Sequence, residues 1–471
     1  MKYSLYEHQR KAVNFILGMN GCGALFMEVG TGKTLTALTI YKELREKESN
    51  LKMLVVCPIS LINAAWGEDI KKFSDFTYCN LREGVKDADI YIINYESYAL
   101  ERYQNLVNDL ELDMVVLDES SKIRNHKARI TKTLLHNRLN FRYRIILSGT
   151  PAPNNPEEYW SQINFVSTVL PESFYRFRNL YMKLDRNGYS IDYVHPLKLG
   201  EMFRKGFKYV LKDQDRFMRE ISPVCFWAKK AECLDLPETV DVIREVTLSP
   251  SQMKIYRDMK RHMVAEIGDK IVMANVALTK LMKLRQLTSG FAIDTMGEAA
   301  ELVDNAKVNE LLSVLEEIGD KQVIIWIQFK KEIEILSKHL KSFATLYSET
   351  SDRDKSIEDF KSGRVQYLLA HPKSGGHGLT FTNCDTMIFF SIDYSFEGIE
   401  QARGRIHRPG QVNKCTYIYL LAKDTIDGDI KQALDKKEDL SALCQRILNP
   451  KKVHSGLEEE QPDSVRGEVV G

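Results

Sequence analysis

In this chain of 471 residues the run best suited to chemistry is Glu28-Val29-Gly30-Thr31-Gly32-Lys33-Thr34, which follows the apolar stretch Ala24-Leu25-Phe26-Met27 and precedes a helical pattern over residues 35–47. A strand, a glycine turn and a helix N-terminus make backbone N–H groups converge on an anion. Gly30, Thr31 and Gly32 would then wrap phosphate, Lys33 would reach the β and γ phosphates of a nucleotide, and the Thr34 hydroxyl would ligate magnesium. The strict form of this loop has a glycine six residues before the lysine, where this chain has Met27. About 85 residues on, the apolar run Met114-Val115-Val116-Leu117 ends in Asp118-Glu119. Carboxylates at the carboxyl edge of a parallel sheet stand next to a phosphate loop, so Asp118 would hold magnesium and Glu119 would polarise the attacking water. A third run, residues 144–147, ends in Ser148-Gly149-Thr150-Pro151, hydroxyl residues placed to sense a γ phosphate through hydrogen bonds. Far downstream, Arg405 and Arg408 stand three apart in Gln401-Ala402-Arg403-Gly404-Arg405-Ile406-His407-Arg408. On one helix face they would clamp a phosphate from across a cleft. The loop Lys373-Ser374-Gly375-Gly376-His377-Gly378 would let backbone at Gly378 approach a phosphate closely. ATP and Mg are the cofactors these residues require.

Such residues need two rigid frames. From Ala24 to about Val169, short β-rich runs at 53–56, 90–93, 114–117 and 144–147 alternate with helical stretches. Apolar strands buried on both faces and separated by helices indicate a parallel α/β sheet. The rhythm resumes near Lys307, with helices over 308–318 and 331–340 and strands over 322–327, 365–369, 386–390 and 416–421. The expected fold class is α/β: two parallel-sheet lobes, residues 1–170 and 301–448, joined by a helical, basic region over 171–300. That region carries amphipathic patterns at 249–267 and 271–287, and its segment 172–290 holds 22 Lys and Arg against 15 Asp and Glu. The rest of the chain is correspondingly acidic, since 66 basic and 65 acidic residues leave a net charge of +1. Residues 449–471 are acidic and without apolar periodicity, the composition of a disordered tail.

Hydrophobic residues at 44% and charged residues at 28% exclude wholesale disorder and a membrane-embedded chain. No apolar stretch approaches the roughly 18 to 20 residues needed to span a bilayer. The eight cysteines form no paired C-x-x-C knuckle, which argues against zinc and for reduced thiols in a cytoplasmic setting.

With its motifs in this order, the chain resembles a superfamily-two helicase motor of the Swi/Snf family of double-stranded DNA translocases. The resemblance runs from Leu5 to about Leu448. It rests further on Leu5-Tyr6-Glu7-His8-Gln9, on Met53 to Trp66 with Glu68, on Asn94-Tyr95-Glu96 and on Leu234-Asp235-Leu236-Pro237. Gln252, Tyr256, Lys283-Leu284-Arg285-Gln286, Val323 to Gln328 and His407-Arg408-Pro409-Gly410-Gln411 extend it. It implies RecA-like lobes, adenine read by Gln9, Trp66 beside the DNA path, and a DNA-dependent ATPase acting as a monomer on double-stranded DNA. A strand-separating helicase on DNA or RNA shares all the nucleotide motifs. A catalytically silent nucleic-acid scaffold does not, because Lys33, Thr34, Asp118, Glu119, Arg405 and Arg408 are intact. Two departures stand out: Ser121 where the acidic motif usually ends in histidine, and Gly404 in the final motif. The short insertions are similar to those of bacterial or phage members.

Overall fold

The computed structural model describes residues 4–436 apart from 153–154, 187, 193–198, 200–201, 203–206, 268–273, 294–298, 303 and 373–378. Seven strands build the first sheet: β1 (Cys22–Met27), β2 (Met53–Cys57), β3 (Tyr78–Asn80), β4 (Ile90–Asn94), β5 (Met114–Asp118), β6 (Tyr143–Ser148) and β7 (Cys225–Ala228). Their order is β7-β1-β6-β5-β2-β4-β3, and every pairing is parallel. Six more build the second: β8 (Thr239–Val246), β9 (Val323–Trp326), β10 (Phe343–Leu346), β11 (Tyr367–Ala370), β12 (Thr386–Phe389) and β13 (Cys415–Ala422). These run β8-β13-β12-β9-β11-β10, again all parallel.

Both faces of the central strands are covered, which is why these strands read as unbroken apolar runs. Successive side chains of a strand point to opposite faces. In β1, Leu25 and Met27 join Ala12, Ile16, Leu38 and Tyr41 on one side, while Ala24 and Phe26 join Ile163 and Phe217 on the other. In β9, Ile324 and Trp326 pack with Tyr417 and Tyr419, and Val323 and Ile325 pack with Leu311 and Leu336.

The connecting region is not a separate helical unit over 171–300. Helices Phe174–Tyr181 and Gln214–Ile221 bury Phe177 and Phe217 in the first lobe's core, and β7 pairs with β1 at the sheet edge. Strand β8 instead pairs with β13, and Tyr256, Leu281, Leu284 and Leu287 enter the second lobe's core. The chain passes from one sheet to the other between Ala228 and Thr239, so the sheets divide there. Both amphipathic patterns form helices, Pro250–Ile267 and Ala274–Thr288. One strand is displaced from its expected place: β11 starts at Tyr367 rather than Val365, because the Val365 amide is turned back onto the Asp359 carbonyl. The tail over 449–471 lies outside the described residues. Among the described residues no helix is long and apolar enough to cross a membrane, and all seven cysteines are unpaired.

Candidate functional site

The phosphate loop leaves β1 and reverses through Gly30 and Gly32, at φ 91° and 84°. A side chain rarely adopts this left-handed backbone, and a Cβ at Gly32 would also collide with Gln9. Gly32 then caps helix Lys33–Arg45, so the positive end of that helix points into the loop. Lys33 Nζ folds back to donate to the Met27 carbonyl at 3.0 Å. Gln9 and His8, both buried, brace the loop from helix Glu7–Gly18. Gln9 Nε2 donates to the Thr31 and Gly32 carbonyls at 3.4 and 3.3 Å, and its Oε1 accepts from the Tyr6 amide at 2.9 Å.

Asp118 ends β5, which β6 separates from β1 in the sheet. Its Oδ2 accepts from Trp66 Nε1 and its Oδ1 from the Glu119 amide, each at 2.9 Å. Burial, reinforced by the neighbouring Glu119 charge, pushes the Asp118 carboxyl up to about 6 against the pull of Lys33. Glu119 itself sits at φ 51°, a left-handed conformation that costs a non-glycine residue roughly 1 kcal/mol or more and recurs at functional sites. Trp66 is fully buried against Asp118, and so does not line a surface path for DNA. Its indole N–H needs a partner once desolvated, and the carboxylate provides one. Ser148 closes its own turn, accepting from the Thr150 amide at 3.2 Å.

Arg405 and Arg408 come from the second lobe, but not from a helix face. Helix Phe396–Arg403 stops at Gly404, whose Cβ position is crowded by Val29 of the first lobe, and the arginines ride on the turn that follows. Each donates through Nη1 to the Leu379 carbonyl at 3.1 Å, and Arg408 also reaches Thr380 Oγ1. Among the described residues, neither Nε atom, both buried, has an acceptor. Burial, with repulsion from Arg408, pulls Arg405 down to about 9, and burial alone pulls Arg408 down to about 10. Either guanidinium keeps its charge at neutral pH, so what these shifts measure is the cost of desolvating a cation, which a bound anion relieves.

Gln9, Gly30, Thr31, Gly32, Lys33, Thr34, Asp118, Glu119, Arg405 and Arg408 all line one cleft of about 620 Å³ between the lobes. Gly378 lies outside the described residues. The donor set fits a magnesium nucleotide: a threonine hydroxyl and a carboxylate supply hard oxygen, and Lys33, Arg405 and Arg408 line the cleft with two guanidinium Nε–H groups unpartnered among the described residues.

Two residues escaped the sequence reading, Asp69 in this cleft and Lys230 in the adjoining cavity of about 460 Å³. Asp69 stands beside Thr34 and Arg408 at the wall of this cleft, and burial pushes its carboxyl up to about 6. Lys230, in the crossing between sheets, places its Cε 3.5 Å from a Cβ built at Gly30, and burial with repulsion from Arg408 pulls its ammonium down to about 8. Nothing in the spacing of Glu68-Asp69 or Lys229-Lys230 separates them from ordinary surface charges.

The SNF2-related domain matches residues 8–290, and the helicase conserved C-terminal domain matches residues 306–410. The putative protein p41 of Acyrthosiphon pisum secondary endosymbiont phage 1 is 23% identical over 94% of this chain and 98% of its own length. The SWI/SNF chromatin-remodeling complex subunit snf22 of Schizosaccharomyces pombe is 24% identical over 93% of this chain, which spans 28% of that protein. The uncharacterized ATP-dependent helicase MG018 of Mycoplasma genitalium is 24% identical over 93% of this chain and 42% of its own. Among solved structures, the Sulfolobus solfataricus SWI2/SNF2 ATPase core in complex with dsDNA is 22% identical, covering 97% of this chain and 96% of that one at a TM-score of 0.42.

Proposed function

The chain belongs to the SNF2-related family, and from that premise we propose that it is an ATP-driven motor that moves along double-stranded DNA without separating the strands. The observation carrying the ATPase half is the two-lobed cleft, in which Arg405 and Arg408 of one lobe stand over the Gly30 loop and the Glu119 carboxylate of the other. In this proposal the Gly30-Thr31-Gly32 amides and Lys33 hold the β and γ phosphates, and Thr34 with Asp118 holds magnesium, which neutralises phosphate charge. Glu119 orients water in line with the γ phosphate and takes its proton as the water oxygen bonds to the γ phosphorus and the bond from that phosphorus to the β–γ bridging oxygen breaks, leaving ADP and inorganic phosphate. Arg405 and Arg408 stabilise the charge on the transferring phosphoryl group, and opening of the cleft after hydrolysis moves one lobe relative to the other. Duplex DNA is the proposed track because a translocase needs only backbone phosphate contacts. Basic side chains of 172–290 supply these from both lobes.

Steady-state ATP turnover measured with no nucleic acid, single strands, duplex DNA and duplex RNA tests the whole reading. Duplex DNA is expected to stimulate most. Glu119→Gln is expected to bind ATP while turnover falls on the order of 10² to 10⁴, and Lys33→Ala to lose binding as well. Wild-type turnover by Glu119→Gln would remove Glu119 from the mechanism, and stimulation by RNA alone would favour a strand-separating helicase.

A further inference from the structure

Two residues beyond Glu119, Ser121 reaches across the cleft. Its Oγ donates to Glu397 Oε1 at 3.1 Å. Glu397 lies in the first turn of helix Phe396–Arg403, the element that delivers the arginine turn. From its own side Gln401 Nε2 donates to the same oxygen at 3.3 Å. Arg124 of the first lobe approaches Glu397 Oε2 at 3.6 Å and Glu158 at 3.7 Å. The neighbouring Ser120 is fixed within the first lobe, its Oγ donating to Gln162 Oε1 at 2.7 Å.

We propose that Ser121 and Glu397 form a closure latch, a positioning pair that couples the approach of the second lobe to the placement of Glu119; this rests on the motor reading above. Glu119 stands in a left-handed conformation between Asp118, which accepts from its amide, and the Ser120-Ser121 turn. A pull on Ser121 therefore bears on the backbone that aims the Glu119 carboxylate. The same carboxylate of Glu397 sits one helix away from Arg405, so a single contact registers the base of one lobe against the cations of the other. The serine that replaces the usual histidine of the acidic motif acquires a role by this contact: a short hydroxyl meets a carboxylate extended from the opposite lobe. The hydrogen bond is the main link, because it joins a buried donor to an anion, whereas Arg124 is partly exposed and shares itself between two carboxylates. Neither Ser121 nor Glu397 touches the nucleotide in this scheme; both act through Glu119 and the arginine turn.

The test uses the full chain with Ser121→Ala, Glu397→Ala, Glu397→Gln and the double Ser121→Ala/Glu397→Ala variant. Loss of one charge-assisted hydrogen bond is expected to lower kcat about tenfold or more while KM for ATP stays within about twofold. The double variant is expected to fall no further than the worse single, since both remove one contact. Glu397→Gln keeps an oxygen acceptor for Ser121 without the charge and is expected to recover part of the kcat. Donor and acceptor dyes on the two lobes are expected to report a wider separation in Glu397→Ala than in wild type or Glu397→Gln, without any turnover. Additive losses, no recovery in Glu397→Gln, or an unchanged separation would overturn the latch. A wild-type chain that hydrolyses no ATP would overturn the motor reading instead, and the dye separation would still judge the latch.

Discussion

Arg405 and Arg408 are buried with Nε atoms that no group among the described residues accepts from, an arrangement that weakens the free protein and gains when an anion arrives. Arg405→Met is therefore expected to melt no lower than wild type without nucleotide, to lose most of the melting increase given by a non-hydrolysable ATP analogue, and to lower turnover on the order of 10³. Thermal melting with and without the analogue checks the first two parts, and a fall in the nucleotide-free melting temperature would contradict the account. Lys230 gives a second test at this scale. Its ammonium, pulled down to about 8 in the free protein, carries charge below that pH and loses it above. Analogue affinity is expected to weaken as pH rises from 7 to 9, and Lys230→Met to flatten that dependence. Titration of a fluorescent analogue at each pH shows it, and an unchanged slope in Lys230→Met would remove the residue from the site. Gly30 to Thr34 could be found from sequence because a strand, a turn and a helix start are local signals. Asp69 and Lys230 could not, and the resemblance sets Trp66 beside the DNA path instead of bracing Asp118, because each owes its place to a partner dozens of residues away or more.

At the level of elements, the apolar strands were legible and the two edge strands that bracket the crossing were not. β7 spans four residues and leaves Trp227 partly exposed, while β8 alternates exposed and half-buried positions along Thr239–Val246. Strands covered on one side only lack the continuous apolar run that marks a central one. The helical character of 249–288 was visible from its period, but which lobe it packs on depends on contacts that a period does not encode. A fragment of residues 1–170 would expose the β1 edge and the surface that Phe177 and Phe217 cover. It is expected to aggregate or unfold without a cooperative transition, whereas residues 1–236 are expected to unfold in one. Urea titration followed by circular dichroism distinguishes them, and a cooperative transition in the shorter fragment would show that β7 and helices Phe174–Tyr181 and Gln214–Ile221 are dispensable.

For the whole molecule, the basic segment seen in sequence is shared out, the described residues before Ala228 packing on the first sheet through Phe177 and Phe217 and those after Thr239 on the second through Tyr256 and Leu284. A duplex held by both lobes through phosphate contacts would release counterions on binding, so DNA-stimulated ATP turnover is expected to fall steeply as salt rises. The same protein is expected to displace the third strand of a triplex and to leave a forked duplex intact, and efficient opening of the fork would count against a translocase. The crossing between Ala228 and Thr239 sets a further condition. It contains one helical turn, Lys230–Cys233, with extended chain on either side. Drawing those four residues from a helical to an extended rise would lengthen the tether by about 7 Å, roughly twice the 3.4 Å that separates base pairs. Once the whole crossing is drawn straight, the two sheet edges cannot slide apart along the tether without peeling β7 or β8 from its neighbour, so this short length of chain is the leash on the motor's stroke.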